Sequence, residues 1–140
     1  MLCRIPGMSR ELIDQYYRAF NAEDYAGMLA LLSDDVVHDV NQGAREVGKP
    51  QFIAFLKHME ACYSERLENI VIFASPDGKR FAAEFIVNGK YLGTDAGLPP
   101  ASGQSYKLLA GAFLEVANGR ITRVTTYYNL QDWRKQIGAA

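Results

Sequence analysis

Asp39 stands inside Val36-Val37-His38-Asp39-Val40, a β-branched run in which an ionisable carboxyl is flanked by apolar neighbours. If that side chain faces a cavity, desolvation raises its pKa toward the range useful to a general base. If it faces water at a strand end, it only bonds nearby backbone groups. His38 has the opposite strand parity, so the two side chains cannot point to the same side. Tyr16 and Tyr17 place two phenols on one predicted helix. Core packing with a polar partner for each hydroxyl explains them, and so does donation to a ligand oxygen. Glu84 and Asn88 share one face of a predicted strand and suit either a cavity or solvent. Tyr91, Tyr106, Tyr127, Tyr128 and Trp133 make the second half rich in aromatic rings, as core or as the walls of a pocket for a flat, partly apolar ligand.

Other chemistries lack their residues. The chain has two histidines, His38 and His58, and no spacing supports a zinc site around them. His58, beside Lys57, reads as a surface residue. No Ser-His-Asp or Cys-His arrangement and no glycine-rich phosphate loop appears, so neither a covalent nucleophile nor an ATP or NAD site is expected. No metal and no cofactor is expected.

The elements that must position these groups fall into two halves. Ser9 is a candidate N-cap for a first helix whose apolar face is Leu12, Ile13, Tyr16, Tyr17 and Phe20. Asp24 caps a second, short helix running through Leu32, and Asp34-Asp35 ends it. Val36 to Val40 is a strand. Gly48-Lys49-Pro50 opens a third helix with the stripe Phe52, Phe55, Leu56, Met59 and Tyr63. Sheet follows: Ile70 to Ala74, a turn at Ser75-Pro76-Asp77-Gly78, Arg80 to Leu92, Ser105 to Val116, a tight turn at Asn118-Gly119, and Arg120 to Asn129. Gln131 to Ile137 closes as a short helix or turn. Gly93 to Gln104 is long for a hairpin connection, and long loops in compact domains are often binding elements.

Helices followed by consecutive strands predict an α+β fold, three N-terminal helices on a curved antiparallel sheet, with a ligand concavity between them. One domain over residues 8–140 with a loose extension at 1–7 fits 140 residues, 49% of them hydrophobic. Fifteen basic against sixteen acidic residues remove the electrostatic footprint of a nucleic-acid or anionic-membrane binder. No run approaches the roughly 20 apolar residues of a membrane helix. The first ten residues lack a signal-peptide core, so a cytoplasmic location is expected. Cys3 and Cys62 allow one bridge at most, and Cys62 reads as a free core thiol. If Glu115 faces solvent, Leu109, Gly111 and Phe113 share its outward side, which predicts a homodimer through the outer face of the sheet.

The stretch ELIDQYYRAFNAEDYAGMLALLSDDVVHDV resembles the opening of the ketosteroid isomerase-like and SnoaL-like proteins of the nuclear transport factor 2-like superfamily, the polyketide cyclase branch included. FLEVANGRITRVTTYYN resembles their last hairpin, so the likeness runs from about Met8 to Ile137. It implies a cone-like α+β barrel and a dimer. It also implies that Asp39 is the proton-abstracting base and that Tyr16 donates to the resulting oxyanion. The second oxyanion donor of ketosteroid isomerases falls on Ala112, which has no carboxyl, so activity on steroids is expected to be poor. The acid of SnoaL-type cyclases falls on Asn129, an amide. The reading that emerges is acid–base chemistry on a small hydrophobic carbonyl compound, isomerisation or aldol-type cyclisation, with Asp39 and Tyr16 acting. Tyr17, Glu84, Asn88, Tyr106, Ala112, Tyr128, Asn129 and Trp133 would shape the pocket. A binding module without chemistry and a dimerising domain with a vestigial pocket are the alternatives.

Overall fold

The computed structural model describes residues 8–139, so Cys3 and the extension expected over 1–7 lie outside the described residues. Helix α1 (Met8–Asn21) starts one residue before Ser9, which therefore sits in its first turn. Ile13, Tyr16 and Tyr17 are its buried residues. Helix α2 (Tyr25–Ala30) is capped as expected, the Asp24 carboxylate accepting from the Gly27 N–H at 2.9 Å. It stops earlier than the apolar spacing predicts. Leu32 already belongs to β1 (Leu32–Asp39), and Asp34-Asp35 lies within that strand. The short strand β2 (Arg45–Val47) turns back antiparallel on β1 and was not anticipated.

Helix α3 (Lys49–Cys62) begins with Pro50 in its first turn and buries Phe52, Leu56 and Cys62. Tyr63 does not continue its stripe but opens β3 (Tyr63–Ala74), a strand seven residues longer at its start than the apolar run Ile70 to Ala74. Charged residues between Ser64 and Glu68 hide the extra length from an apolar pattern. The tertiary structure supplies the pairing: Tyr63 to Glu68 register against β4 (Arg80–Tyr91). The Asn21 side chain, at the end of α1, donates to the Leu67 carbonyl at 3.0 Å and accepts from the Leu67 N–H at 2.8 Å, acting as a stand-in for a neighbouring strand. Strands β5 (Gln104–Ala117) and β6 (Arg120–Tyr128) and helix α4 (Leu130–Gln136) complete the chain.

The sheet runs β2-β1-β6-β5-β4-β3 and is open at both edges. All neighbouring pairs are antiparallel except β1 and β6, which run parallel. The fold is the α+β arrangement expected, a curved sheet with helices on its inner face. Inward residues alternate along β4 and β5, with Phe81, Ala83, Phe85 and Val87 facing Leu108, Ala110, Ala112 and Leu114 across the pair. The other face carries Leu109, Phe113, Tyr127, Val71 and Phe73, all exposed. No described helix is long and apolar enough to cross a membrane.

Candidate functional site

Between the helices and the inner face of the sheet lies a cavity of about 320 Å³. Strand parity decides what reaches it. On β1 the inward row is Val36 and His38, and His38 is packed between the rings of Phe52 and Phe55 from α3, at 4.6 and 4.5 Å. Its Nδ1 is buried without a hydrogen-bond partner, the nearest carboxylate being Glu46 at 3.8 Å. Burial takes its pKa down to about 4, against the opposing pull of Asp39. The ring is neutral at pH 7.

Asp39 borders the cavity at the end of β1, but its carboxylate meets Thr125, which lies opposite the exposed Phe113 on the outer face of the sheet. There Arg45 clamps it with two bonds, at 2.6 and 3.0 Å, and the Thr125 hydroxyl donates at 2.6 Å. The cross-strand register explains the set, because Asp39 faces Arg45 on β2 and Thr125 on β6. Arg123 extends the network, bonding both Thr125 and Glu115. The Arg45 bonds hold the Asp39 pKa down at about 2, outweighing desolvation, with Thr125 adding to them. The expected rise is thus reversed: charge-assisted hydrogen bonds favour the carboxylate more than partial burial disfavours it.

The remaining expected residues divide by face. Tyr16, Tyr17, Tyr106, Tyr128 and Trp133 all line the cavity. Glu84 and Asn88 do not, because Phe85, Val87 and Gly89 take the inward positions of β4 and leave both on the outer face. Ala112 is buried in the sheet core and is not among the lining residues. Asn129 is the N-cap of α4, its Oδ1 accepting from the Asp132 N–H at 3.0 Å, which accounts for it without a ligand.

Sequence reasoning missed Glu65, a carboxylate that points into the cavity from the sheet. Glu65 shares the inward row of β3 with Tyr63 and Leu67 and lines the pocket. Tyr106 donates to its Oε2 at 2.6 Å. The route between them crosses Gly89, the residue that pairs with Glu65 on one side and with Tyr106 on the other. A Cβ at Gly89 would collide with the Tyr106 ring, so only glycine leaves the phenol free to reach across. Burial raises the Glu65 pKa above its ordinary value, partly offset by the Tyr106 hydrogen bond. The Gly89→Ala variant is expected to swing the Tyr106 ring off Glu65 and to lose about 1–3 kcal/mol through overpacking. Urea denaturation read beside Tyr106→Phe checks this, and an unchanged midpoint with the hydrogen bond intact would contradict it.

A second polar group comes from the long loop after β4. Asp95 lines the cavity, with the Tyr63 hydroxyl donating to its Oδ2 at 2.6 Å and His58 Nε2 at 3.0 Å from the same oxygen. Its backbone N–H is bonded to the Tyr91 hydroxyl at 2.8 Å, which in turn donates to the Pro99 carbonyl at 2.7 Å. Burial pushes Asp95 up, but the bonds from Tyr63 and His58 leave it below the ordinary range. His58 is about half exposed and also lines the cavity, so it is not a purely surface residue. Burial keeps the Tyr16 and Tyr17 phenols protonated far above neutrality, so both are available as donors.

Residues 13–124 match the SnoaL-like domain family. The chain belongs to that family. A "putative polyketide cyclase" from Xanthomonas campestris pv. campestris is 50% identical, covers 94% of this chain and 97% of its own, and superposes with a TM-score of 0.92. A protein of the same description from Silicibacter is 57% identical over 95% of this chain and 97% of its own, with a TM-score of 0.91. An epoxide hydrolase of the LEH-like type from Mycobacterium tuberculosis, 19% identical over 93% of this chain and 84% of its own, shares the SnoaL-like chain's fold at a TM-score of 0.69. Among curated proteins none matches. This SnoaL-like protein therefore shares its fold with proteins described as putative polyketide cyclases, with the Asp39 carboxylate turned outward and the half-buried Glu65 lining the cavity.

Proposed function

We propose that this SnoaL-like protein is a cofactor-free acid–base enzyme that moves a proton on a small, flat, partly apolar carbonyl compound, in an isomerisation or an aldol-type cyclisation. One observation carries the reading: a desolvated carboxylate, Glu65, set in a largely aromatic cavity and bonded by a tyrosine. A carboxylate with a raised pKa is the stronger proton acceptor, and an apolar cavity strengthens each electrostatic contact made inside it. Glu65 takes the role the family resemblance gave to Asp39. Tyr16 or Tyr17, protonated and lining the same space, donates to the enolate oxygen that forms. The names of the relatives at 50–57% identity agree with this class of reaction.

Binding without turnover is the second reading, and the outward turn of Asp39 favours it. Deuterium exchange separates the two. Aryl ketones and cyclic 1,3-diketones are incubated with the protein in D2O, and incorporation next to the carbonyl is followed by NMR. Enzyme-dependent exchange supports the acid–base reading. Compounds that bind in the cavity without exchange would leave a binding protein.

A homodimer through the outer face of the sheet is the subunit arrangement we propose. Leu109 is 77% exposed, and Phe113 and Tyr127 beside it form an edge-to-face pair at 6.0 Å. An apolar row of this kind, bordered by Arg80, Glu115 and Arg123 with both charge signs, suits a two-fold contact with a second copy. Sedimentation is expected to give a dimer at micromolar concentration and a monomer for Phe113→Glu. A monomeric parent chain would defeat the proposal.

A further inference from the structure

Outside the Glu65–Tyr106 pair, the C-terminal turn of α3 and the loop after β4 bring three different metal-binding side chains together. His58 and Cys62 are four residues apart on α3, one helical turn, and so share a face. Asp95 approaches from the loop. A ring nitrogen of His58, Cys62 Sγ and an Asp95 carboxylate oxygen all lie within 4.8 Å of one another. We infer that His58, Cys62 and Asp95 form a site for a borderline-soft divalent cation of the Zn2+ class, which clips the loop to the end of α3.

The donor set has the right chemistry: one imidazole, one thiolate and one carboxylate, each a regular zinc ligand, with a fourth tetrahedral position left to water. Zn–N and Zn–O bonds near 2.0–2.2 Å and a Zn–S bond near 2.3 Å place neighbouring ligand atoms about 3.3–3.8 Å apart, so the widest separation closes by about 1 Å on binding. The loop is already held close. Leu92 and Gly93 both donate to the Cys62 carbonyl, at 2.8 and 3.0 Å, and a Cβ on Gly93 would strike the Ala61 backbone. Asp95 is also oriented from outside the ligand set, by the hydroxyl of Tyr63 and through its own N–H by that of Tyr91. Such outer partners fix a ligating carboxylate and tune its affinity. Binding deprotonates the Cys62 thiol and releases that proton to solvent, so affinity rises with pH. His58 and Asp95 share the cavity wall with Glu65, but the existence of the site does not depend on the reaction proposed for that residue.

The test uses the full chain, reduced and treated with chelator, titrated with Zn2+ alone by calorimetry and with Co2+ for its absorption spectrum. One Zn2+ per chain is expected, together with a thiolate-to-cobalt charge-transfer band. His58→Gln, at a half-exposed position, should weaken binding by at least about tenfold, since even the loss of an outer partner typically costs 10–100-fold, with circular dichroism confirming that this variant is folded too. Cys62→Ser should remove the charge-transfer band while circular dichroism confirms that the variant is folded. No binding to the parent chain, equal affinity in His58→Gln, or bound Co2+ without a thiolate band would each overturn the inference. Zn2+ binding is read here without any substrate, so its failure is distinguishable from a failure of the deuterium-exchange test.

Discussion

Glu65→Gln should abolish enzyme-dependent exchange while making the protein more stable at neutral pH. Gln keeps the shape and an amide oxygen for the Tyr106 hydroxyl, but it cannot accept a proton. A positioned general base contributes about 10²–10⁴-fold to rate, and that is the expected loss. The stability effect has a definite sign. Because burial raises the Glu65 pKa, the native state holds its proton more tightly than the unfolded chain does. Ionising Glu65 therefore costs stability as the pH rises above its ordinary value of 4.5. Removing the charge lifts that cost, so the melting temperature of the variant should exceed the parent's at pH 7. The gap should close below pH 4.5. A variant with undiminished exchange would show that Glu65 is not the base. A lower melting temperature at pH 7 would show that its charge is compensated in the fold. The combination, more stable and inactive, is what a site that stores a desolvated charge for chemistry produces.

The second large effect concerns acid stability and His38. Its pKa is about 4 in the fold against 6.5 in the unfolded chain, because a charged imidazole between Phe52 and Phe55 loses its solvation. A depressed histidine is neutral and harmless above pH 6.5. Between pH 6.5 and 4 the unfolded chain takes up a proton that the native state refuses, and stability falls by about 3 kcal/mol over that window. His38→Phe keeps an aromatic ring between the two phenylalanines and should flatten this slope. Urea denaturation at pH 7 and at pH 4.5, parent beside variant, reads it directly. Glu65 acts in the opposite direction over part of the same range, so the difference between the two proteins, not the parent curve alone, isolates His38. Parallel curves would mean that His38 is solvated or protonated in the fold.

One effect comes from Glu65, which a reading of the sequence overlooks, and the other from His38, which it sets aside, and the reasons are local. His38 and Asp39 are rightly separated by strand parity, but parity says only that they oppose. Helix α3 decides which one is buried, by laying Phe52 and Phe55 on the His38 side, while β2 and β6 bring Arg45 and Thr125 to the other. Glu65 escapes notice because its stretch, Ser64-Glu65-Arg66-Leu67-Glu68, has too much charge to look like a buried strand. The available signal was the alternation of Tyr63, Glu65 and Leu67. The interval between His58 and Cys62 was likewise visible, yet it has no meaning until the loop delivers Asp95.

By itself the sequence determined what depends on neighbours along the chain. The α+β class, the order of the main helices and strands, the Asp24 cap, the Pro50 start and the turn at Asn118-Gly119 all follow from periodicity, caps and turn chemistry. The sequence offered the aromatic residues as core or as pocket wall, and only the fold places Tyr16, Tyr17, Tyr106, Tyr128 and Trp133 around the cavity and leaves Tyr127 outside it. The tertiary structure alone decided which carboxylates face the cavity and which way their pKa values move. A pKa is set by solvation and by charges close in space, and for Asp39 and Glu65 the deciding groups, Arg45 and Thr125 for one and the buried cavity wall with Tyr106 for the other, come largely from other strands. Local pattern specifies the elements, whereas the charge state of a buried acid belongs to the packing between them.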